Sequence, residues 1–295
     1  MTVRIVFFLC LCFISASASA AENALMPSAG EGQIEITADE SLEWHQDRGL
    51  YVARGNAKVV RGTLTVEADI LAAREKKNTV RENAQSDTGA PGGRGIDLLI
   101  AEGNVRIFDD RQKVFGDRAE YDLESGVARI TGKNLSYVTA DDTVTARDTL
   151  EYHEKSNTAV ARGKAVAVHD KRRVEADVLK ARFARDSSGR MEMVEMTAEG
   201  NVTVLAGNDV TRGDRVVYDV KNNIAVMTGN VRISRGDTQL SGDRAEVDLA
   251  RGESRLVNQG RGRVRALLIP KTGDSEVVDS GAETSQKYGS KGKGR

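Results

Sequence analysis

Hydrophobic and polar residues alternate along most of this chain. Val105 and Ile107 flank Arg106, Val202 and Val204 flank Thr203, and Val231 and Ile233 flank Arg232. The alternation resumes at Ala119-Tyr121-Leu123, Val216-Tyr218-Val220 and Ala245-Val247-Leu249. A period of two gives a strand one apolar and one polar face, because successive side chains point to opposite sides. Turn-forming residues interrupt at each half-period. DDR from Asp109, AGN from Ala206 and RGD from Arg235 lie on one side; ESG from Glu124, KNN from Lys221 and ARG from Ala250 lie on the other. Such short turns leave no room for crossover helices, so the strands pair as antiparallel hairpins. The pattern predicts an all-β chain, a long antiparallel meander of repeated hairpins from about Gln33 to Ile269.

Two anchors mark the repeat. A glycine precedes one β-branched stretch, at Gly55, Gly103, Gly163, Gly200 and Gly229, and an aspartate opens the next, at Asp69, Asp117, Asp177, Asp214 and Asp243. Within each unit the two lie 14 residues apart, while Gly132 and Asp148 form a sixth pair at 16. A fixed period of this kind marks a repeat architecture. The anchors are expected at bends or bulges where each strand folds over, so that the inner faces of two sheets oppose each other. The aspartates are expected to be structural, bonding nearby backbone amides.

Three stretches break the pattern. Glu82–Gly95 (ENAQSDTGAPGGRG) reads as a loop insertion, Asp186–Arg190 (DSSGR) as a longer hairpin tip, and Lys271–Arg295 as a disordered tail with basic residues gathered from Lys287 onward. At the other end, Arg4 precedes the apolar run Ile5–Ile14, followed by Ala18-Ser19-Ala20. This order reads as a secretory signal peptide over residues 1–21, cleaved near Ala20 or Ala21. Cys10 and Cys12 follow leucines, where a lipid-attachment site wants a small residue, and leave with the signal. The mature chain is then thiol-free, which excludes disulfides, thiolate metal sites and cysteine nucleophiles. The expected location is the periplasm. With 43 Lys and Arg against 44 Asp and Glu, nucleic acid is not an expected partner.

Chemistry is sparse. His45, His153 and His169 stand singly beside turns and form no ligand pair, and no nucleophile elbow, phosphate loop or dinucleotide fingerprint occurs. Asp109-Asp110 and Asp141-Asp142 fall in turns, as solvated charge does. A parallel β-helix lyase needs coils where this chain alternates hairpins. No catalytic residue, metal site or cofactor is expected, and the chain is not read as an enzyme. The inner positions are aliphatic, and aromatics make up only 4% of residues. Composition leaves two readings open: thin walls around a groove for an apolar guest, or a core packed with aliphatics.

The segment GQIEITADESLEWHQDRGLYVARGNAKVVRGTLTVEADIL, from Gly32 to Leu71, resembles the opening of the LptA/OstA-like family of periplasmic lipopolysaccharide-transport proteins. Its I-x-I-x-(A/S)-D start, G-N-(V/A) strand and (I/V)-x-A-D strand carry the resemblance. Val226–Pro270 is similar to the family's closing segment, with a final apolar strand before a proline and a basic tail. The middle departs by carrying more G-N…D-R units than short members. The resemblance implies an open β-jellyroll whose apolar inner groove holds the acyl chains of lipopolysaccharide (those of its lipid A). It also implies head-to-tail association with related jellyroll domains of an inner-membrane complex and an outer-membrane translocon, and the two unlike edge strands leave head-to-tail self-association open. On the family's pattern Ile34 and Ile36 are the first inward pair near the groove's entrance, and Val220 is a later inward position. With Val105, Ile107, Val202, Val204, Val231 and Ile233 they make up the expected lipid-binding wall. The competing reading is a self-assembling structural β-repeat protein of the cell envelope.

Overall fold

The computed structural model describes residues 34–76, 95–251, 253–258 and 263–267. The expected signal peptide, almost all of the 82–95 insertion and the tail lie outside them. The described residues form eighteen strands. They are β1 (Ile34–Thr37), β2 (Ser41–His45), β3 (Leu50–Arg61), β4 (Leu64–Glu75), β5 (Ile96–Phe108), β6 (Lys113–Asp122), β7 (Val127–Thr131), β8 (Leu135–Val138) and β9 (Asp142–Ala146). The rest are β10 (Thr149–His153), β11 (Thr158–His169), β12 (Arg172–Arg185), β13 (Met191–Ala206), β14 (Asp209–Asp219), β15 (Ile224–Arg235), β16 (Thr238–Asp248), β17 (Glu253–Val257) and β18 (Arg265–Leu267). One 3-10 turn, Glu154–Ser156, joins β10 to β11.

Every ladder is antiparallel. β1 and β2 both pair with β3, β7 and β8 with β6, β9 and β10 with β11, and β17 and β18 with β16. Ten long strands and four broken ones therefore make fourteen passes of a single hydrogen-bonded sheet. Each pass is bent, so the sheet folds into two leaves. Leaf I holds β2, β7, β10, β17 and one half of every long strand; leaf II holds β1, β8, β9, β18 and the other halves.

The bend is made by the Gly-Asn pair. Registers shift between Arg54 and Ala57, Glu102 and Val105, Glu199 and Val202, and Thr228 and Val231. At Gly103-Asn104 and Gly229-Asn230 both residues have left-handed φ, +77° and +48° in one pair and +77° and +50° in the other. Glycine takes this region freely and asparagine tolerates it, so the dipeptide turns the chain at low cost. At Gly229 the requirement is double, because a Cβ there would overlap the Asp214 carboxylate.

The aspartates lock the bends, but not as the sequence reading had it. Asp214 accepts from the Asn230 side-chain amide at 2.8 Å, Asp177 from Asn201 at 2.8 Å, Asp69 from Asn104 at 2.9 Å and Asp39 from Asn56 at 2.8 Å. A backbone amide is the donor at Asp117, which receives Lys133 N–H at 2.9 Å. Each aspartate thus serves the bend of the following pass, whereas the constant spacing of 14 links it to the preceding glycine. That spacing is constant because the leaf II hairpins share one register: Ala57 faces Ala68, Val105 faces Gly116, Leu135 faces Ala146, Ala165 faces Ala176, Val202 faces Gly213 and Val231 faces Gly242. The unit at 16 keeps this register too. Its two extra residues fall one on each arm, where the chain breaks between β7 and β8 and between β9 and β10. Apart from those two residues, length variation lies at the leaf I tips, between β4 and β5 and in the DSSGR turn.

The same six pairs show how the bend is packed. Valine opposes glycine three times and alanine opposes alanine twice, so the combined volume stays similar. The space above the glycines is taken by leaf I side chains; a Cβ on Gly213 would sit 2.7 Å from Met227 Cγ. Farther from the bend, apolar residues align into rows crossing the whole sheet. One starts Leu42, Ala53, Leu71, Ala101 and finishes Val216, Met227, Ala245, Leu256, each opposite the next. Its leaf II counterpart starts Ile36, Val59, Val66, Ile107 and finishes Thr211, Ile233, Leu240, Ala266. The outer faces carry charge ladders such as Lys58–Glu67–Arg106 and Lys180–Glu199–Arg215.

Replacing Gly229 with Ala should cost about 2 kcal/mol of stability, the scale of a strained left-handed residue, without changing the strand content. Urea unfolding followed by far-UV circular dichroism measures this. A loss within a few tenths of a kcal/mol would mean that the bend tolerates a side chain.

Candidate functional site

Six of the expected wall residues lie where the alternation places them. Val105, Val202 and Val231 are buried in the row at the bend, and Ile107, Val204 and Ile233 are buried in the row beyond it, all on leaf II. They join Leu71, Leu150, Leu179, Met196 and Met227 of leaf I in one continuous apolar cluster. Over the middle of the sheet the two leaves close on each other with aliphatic side chains. Val220 sits in the β14–β15 turn, half-buried against the same cluster.

Ile34 and Ile36 differ. They lie opposite Arg61 and Val59, on the core-side face, yet are 57% and 46% exposed. Their strand is the edge of leaf II and, among the described residues, has a neighbour on one side only. The same holds on leaf I for Leu42 and Trp44, which are 64% and 40% exposed on β2. Trp44 stacks on Tyr51 with ring centroids 5.9 Å apart. At the opposite edge Val264 and Leu267 are exposed. The sequence reading missed Leu42 and Trp44, although their alternation with Glu43 was a usable signal.

The two tips of the inner face differ in chemistry. Toward the leaf I tips runs a row that includes Trp44, Tyr51, Tyr121, Tyr152 and Tyr218, spaced by residues such as Ala73, Ala128 and Ala159. Each tyrosine hydroxyl donates to a tip residue: Tyr51 to Glu75 at 2.5 Å, Tyr121 to Glu154 at 2.8 Å, Tyr152 to Asn157 at 3.3 Å and Tyr218 to Asn223 at 2.9 Å. Burial and the Glu154 hydrogen bond push the Tyr121 phenol up to about 12. Three of these tyrosines stand four residues after an anchor aspartate, at Asp117, Asp148 and Asp214, a regularity visible in the sequence. Toward the leaf II tips the inner face turns polar. Arg235 donates to Asp209 at 2.7 Å, and the His169 ring lies 2.8 Å from Asp142. His169 is thus a largely covered, paired residue and not the lone surface histidine expected. His45 and His153 contact Glu43 and Glu151 at 3.0 and 3.1 Å. Among the described residues no group of three or more potential ligands is placed to hold a metal ion.

Among the described residues the arrangement offers apolar walls and open edges. The model of one protein family, described as "LptA/(LptD N-terminal domain) LPS transport protein", matches residues 35–148, 143–253 and 211–292. The chain belongs to this family of lipopolysaccharide-transport proteins. The first two matches overlap only at residues 143–148, so this member of the LptA/LptD N-terminal-domain family carries the family pattern in succession, which accounts for its additional units. Among solved structures, LptH of Pseudomonas aeruginosa, titled the LptA-homologous periplasmic component of the lipopolysaccharide transport device, matches at 14% identity. The match covers 83% of this chain and 100% of that one, with a TM-score of 0.19, too low for the likeness to carry weight. No curated protein matches the chain in sequence.

Val231→Asp places a carboxyl in the bend row, against Gly242 and the facing leaf. Stability should fall by about 3 kcal/mol or more. Burial raises a carboxyl's pKa, so the loss should be greater at pH 7, where ionisation is demanded, than at pH 4.5. Urea titrations at both pH values test this; a small loss independent of pH would show an open, wet wall.

Proposed function

We propose that this family member is a periplasmic bridge that binds lipopolysaccharide by its acyl chains and passes it between membranes during outer-membrane assembly. The observation that carries this reading is the set of apolar inner rows that run from one edge of the sheet to the other and end exposed. Ile34, Ile36, Val105, Ile107, Val202, Val204, Val220, Val231 and Ile233 are the proposed lining. The leaves hold each other by apolar packing, while the backbone ladders run within each leaf. Acyl chains entering from the tips would exchange one apolar contact for another without breaking a ladder. Each buried methylene contributes about 0.8 kcal/mol, enough for binding without a polar specificity site in the walls.

Association follows from the number of passes. With fourteen of them the first and last run antiparallel, so the last pass of one molecule can pair with the first of the next and continue the alternation. Leaf I then meets leaf I, and leaf II meets leaf II. The inner rows continue from Leu256 onto Leu42, Ser254 onto Trp44 and Ala266 onto Ile36, covering the exposed side chains of the first pass. In that register Arg255 faces Glu43. The two edges differ, so the contact is heterologous and propagates as an open chain. Related jellyroll domains of the inner-membrane complex and the outer-membrane translocon offer edges of the same kind.

Two measurements test the reading. The purified protein should comigrate with lipopolysaccharide, and a photo-crosslinking residue at Ile233 should label the lipid while one at Arg232, on the outer face, should not. Equal labelling rejects the inner wall as the lipid site.

Association has its own reporter, since Trp44 is the single tryptophan. Its emission should shift to the blue as light scattering rises with concentration. Leu267→Pro, which removes a donor on the edge strand, should abolish both changes and leave the monomer folded. A wild-type protein that stays monomeric and binds no related domain through this edge would overturn the bridge.

A further inference from the structure

We infer that Arg61 recognises the phosphate-bearing headgroup of the amphiphile whose chains lie on the inner wall, an assignment that rests on the lipid-carrier reading above. Arg61 ends β3 in the position where the alternation puts an inner-face residue, two residues beyond Val59. Its cross-strand neighbours are Ile34 and Leu64, and the next row toward the bend is Ile36, Val59 and Val66. The guanidinium therefore stands on an apolar shelf. Its Nε is buried and has no hydrogen-bond partner, while the residue as a whole is half-buried. Among the described residues Arg61 forms no ion pair.

Most of that lip is provided for, although Arg172, half-buried opposite His169 and Ala206, forms no ion pair among the described residues. Arg235 is paired with Asp209 and His169 with Asp142. Asp109, the next carboxylate along the lip from Leu64, is engaged within its own turn by the Arg111 and Gln112 amides, at 2.7 and 2.9 Å. A buried donor without an acceptor costs stability, and among the described residues the Arg61 Nε is the one buried side-chain nitrogen left in that condition, which points to an acceptor that arrives with a ligand. A guanidinium fork fits a phosphate, and such charge-assisted contacts are strong where water is partly excluded. The spacing is also right. Residues two apart on a strand are separated by roughly 7 Å, so a headgroup held at Arg61 sets the first methylenes of its chains on the Ile36–Val59–Val66 row.

The test compares wild type, Arg61→Met and Arg61→Lys for binding of phosphorylated lipopolysaccharide, chemically dephosphorylated lipopolysaccharide and inorganic phosphate. Arg61→Met should weaken the phosphorylated form about tenfold, the lower range for a charge-assisted hydrogen bond, and leave the dephosphorylated form unchanged. Arg61→Lys should recover part of the loss. Because the variant removes an unpartnered buried donor, its urea midpoint should equal or exceed that of wild type, whereas a purely structural arginine would lower it. Equal binding of both lipid forms, unaffected by Arg61→Met, overturns the assignment and leaves the carrier reading intact. Failure of the wild type to bind either form overturns the carrier reading itself. Loss of the Arg61 effect in millimolar inorganic phosphate would assign the site to the free anion and overturn the headgroup assignment.

Discussion

The hydrogen bond between an aspartate and the asparagine of the next pass is the interaction on which the rest of this structure depends. A Gly-Asn pair in left-handed backbone turns β3, β5, β13 and β15, and the preceding pass's carboxylate holds it there, as Asp214 holds Asn230. A flat sheet of fourteen passes would leave its apolar face in water. Bent at a common line, the same sheet buries that face against itself. The lock joins passes two by two, so adding a pair of passes adds its own bend. Extra units therefore lengthen the molecule along one axis and leave its cross-section unchanged.

The bend also dictates where variation is allowed. Leaf II hairpins are bound to one register, because shifting it would bring Val231 opposite a residue larger than Gly242 and displace the Met227 and Leu256 side chains that fill the corner. Leaf I tips lie on the far side of the lock and are free to differ, from the four-residue turn after Asp122 to the segment between β4 and β5. The tyrosine hydroxyls tie several of these tips to their own leaf. One leaf thus carries the invariant geometry and the other the adjustable rim.

Much of this was legible in the sequence, and the remainder has identifiable causes. Alternation reports which face a residue occupies, so Val105, Ile107, Val202, Val204, Val231 and Ile233 were placed correctly. It does not report whether a neighbouring strand exists, and for that reason Ile34 and Ile36 proved to be inward in direction but exposed. The constant 14-residue spacing pointed to the bends, yet the physical partner of each aspartate lies across a tip of variable length, where spacing has no regularity to show. The volume rule at the bend was present in the repeats all along: units with valine after Gly-Asn carry Gly-Asp eleven and twelve residues later, and units with alanine carry Ala-Asp. Arg61 was invisible because a polar residue in an apolar phase at a strand end reads as the start of a turn.

An edge that exposes Ile34, Ile36, Leu42 and Trp44 is unusual for a protein meant to remain alone. Soluble β-proteins blunt their edges with charge, proline or a covering element, since a bare edge pairs with whatever strand it meets. Here the outward positions of the first pass do carry charge, at Glu35 and Glu43, while the inward ones stay apolar. This division is what a selective edge requires. In the proposed head-to-tail contact the outer charges would repel partners lacking complementary arginines, and the inner rows would supply the contact area to a matching leaf. It also resolves the tension between a closed core and a carrier's task. On the proposed function, a wall closed on itself in mid-sheet and open at its first pass would keep apolar surface covered until a guest or a second sheet end is present, and transfer would begin where the rows are bare and proceed inward by displacement of one aliphatic contact at a time.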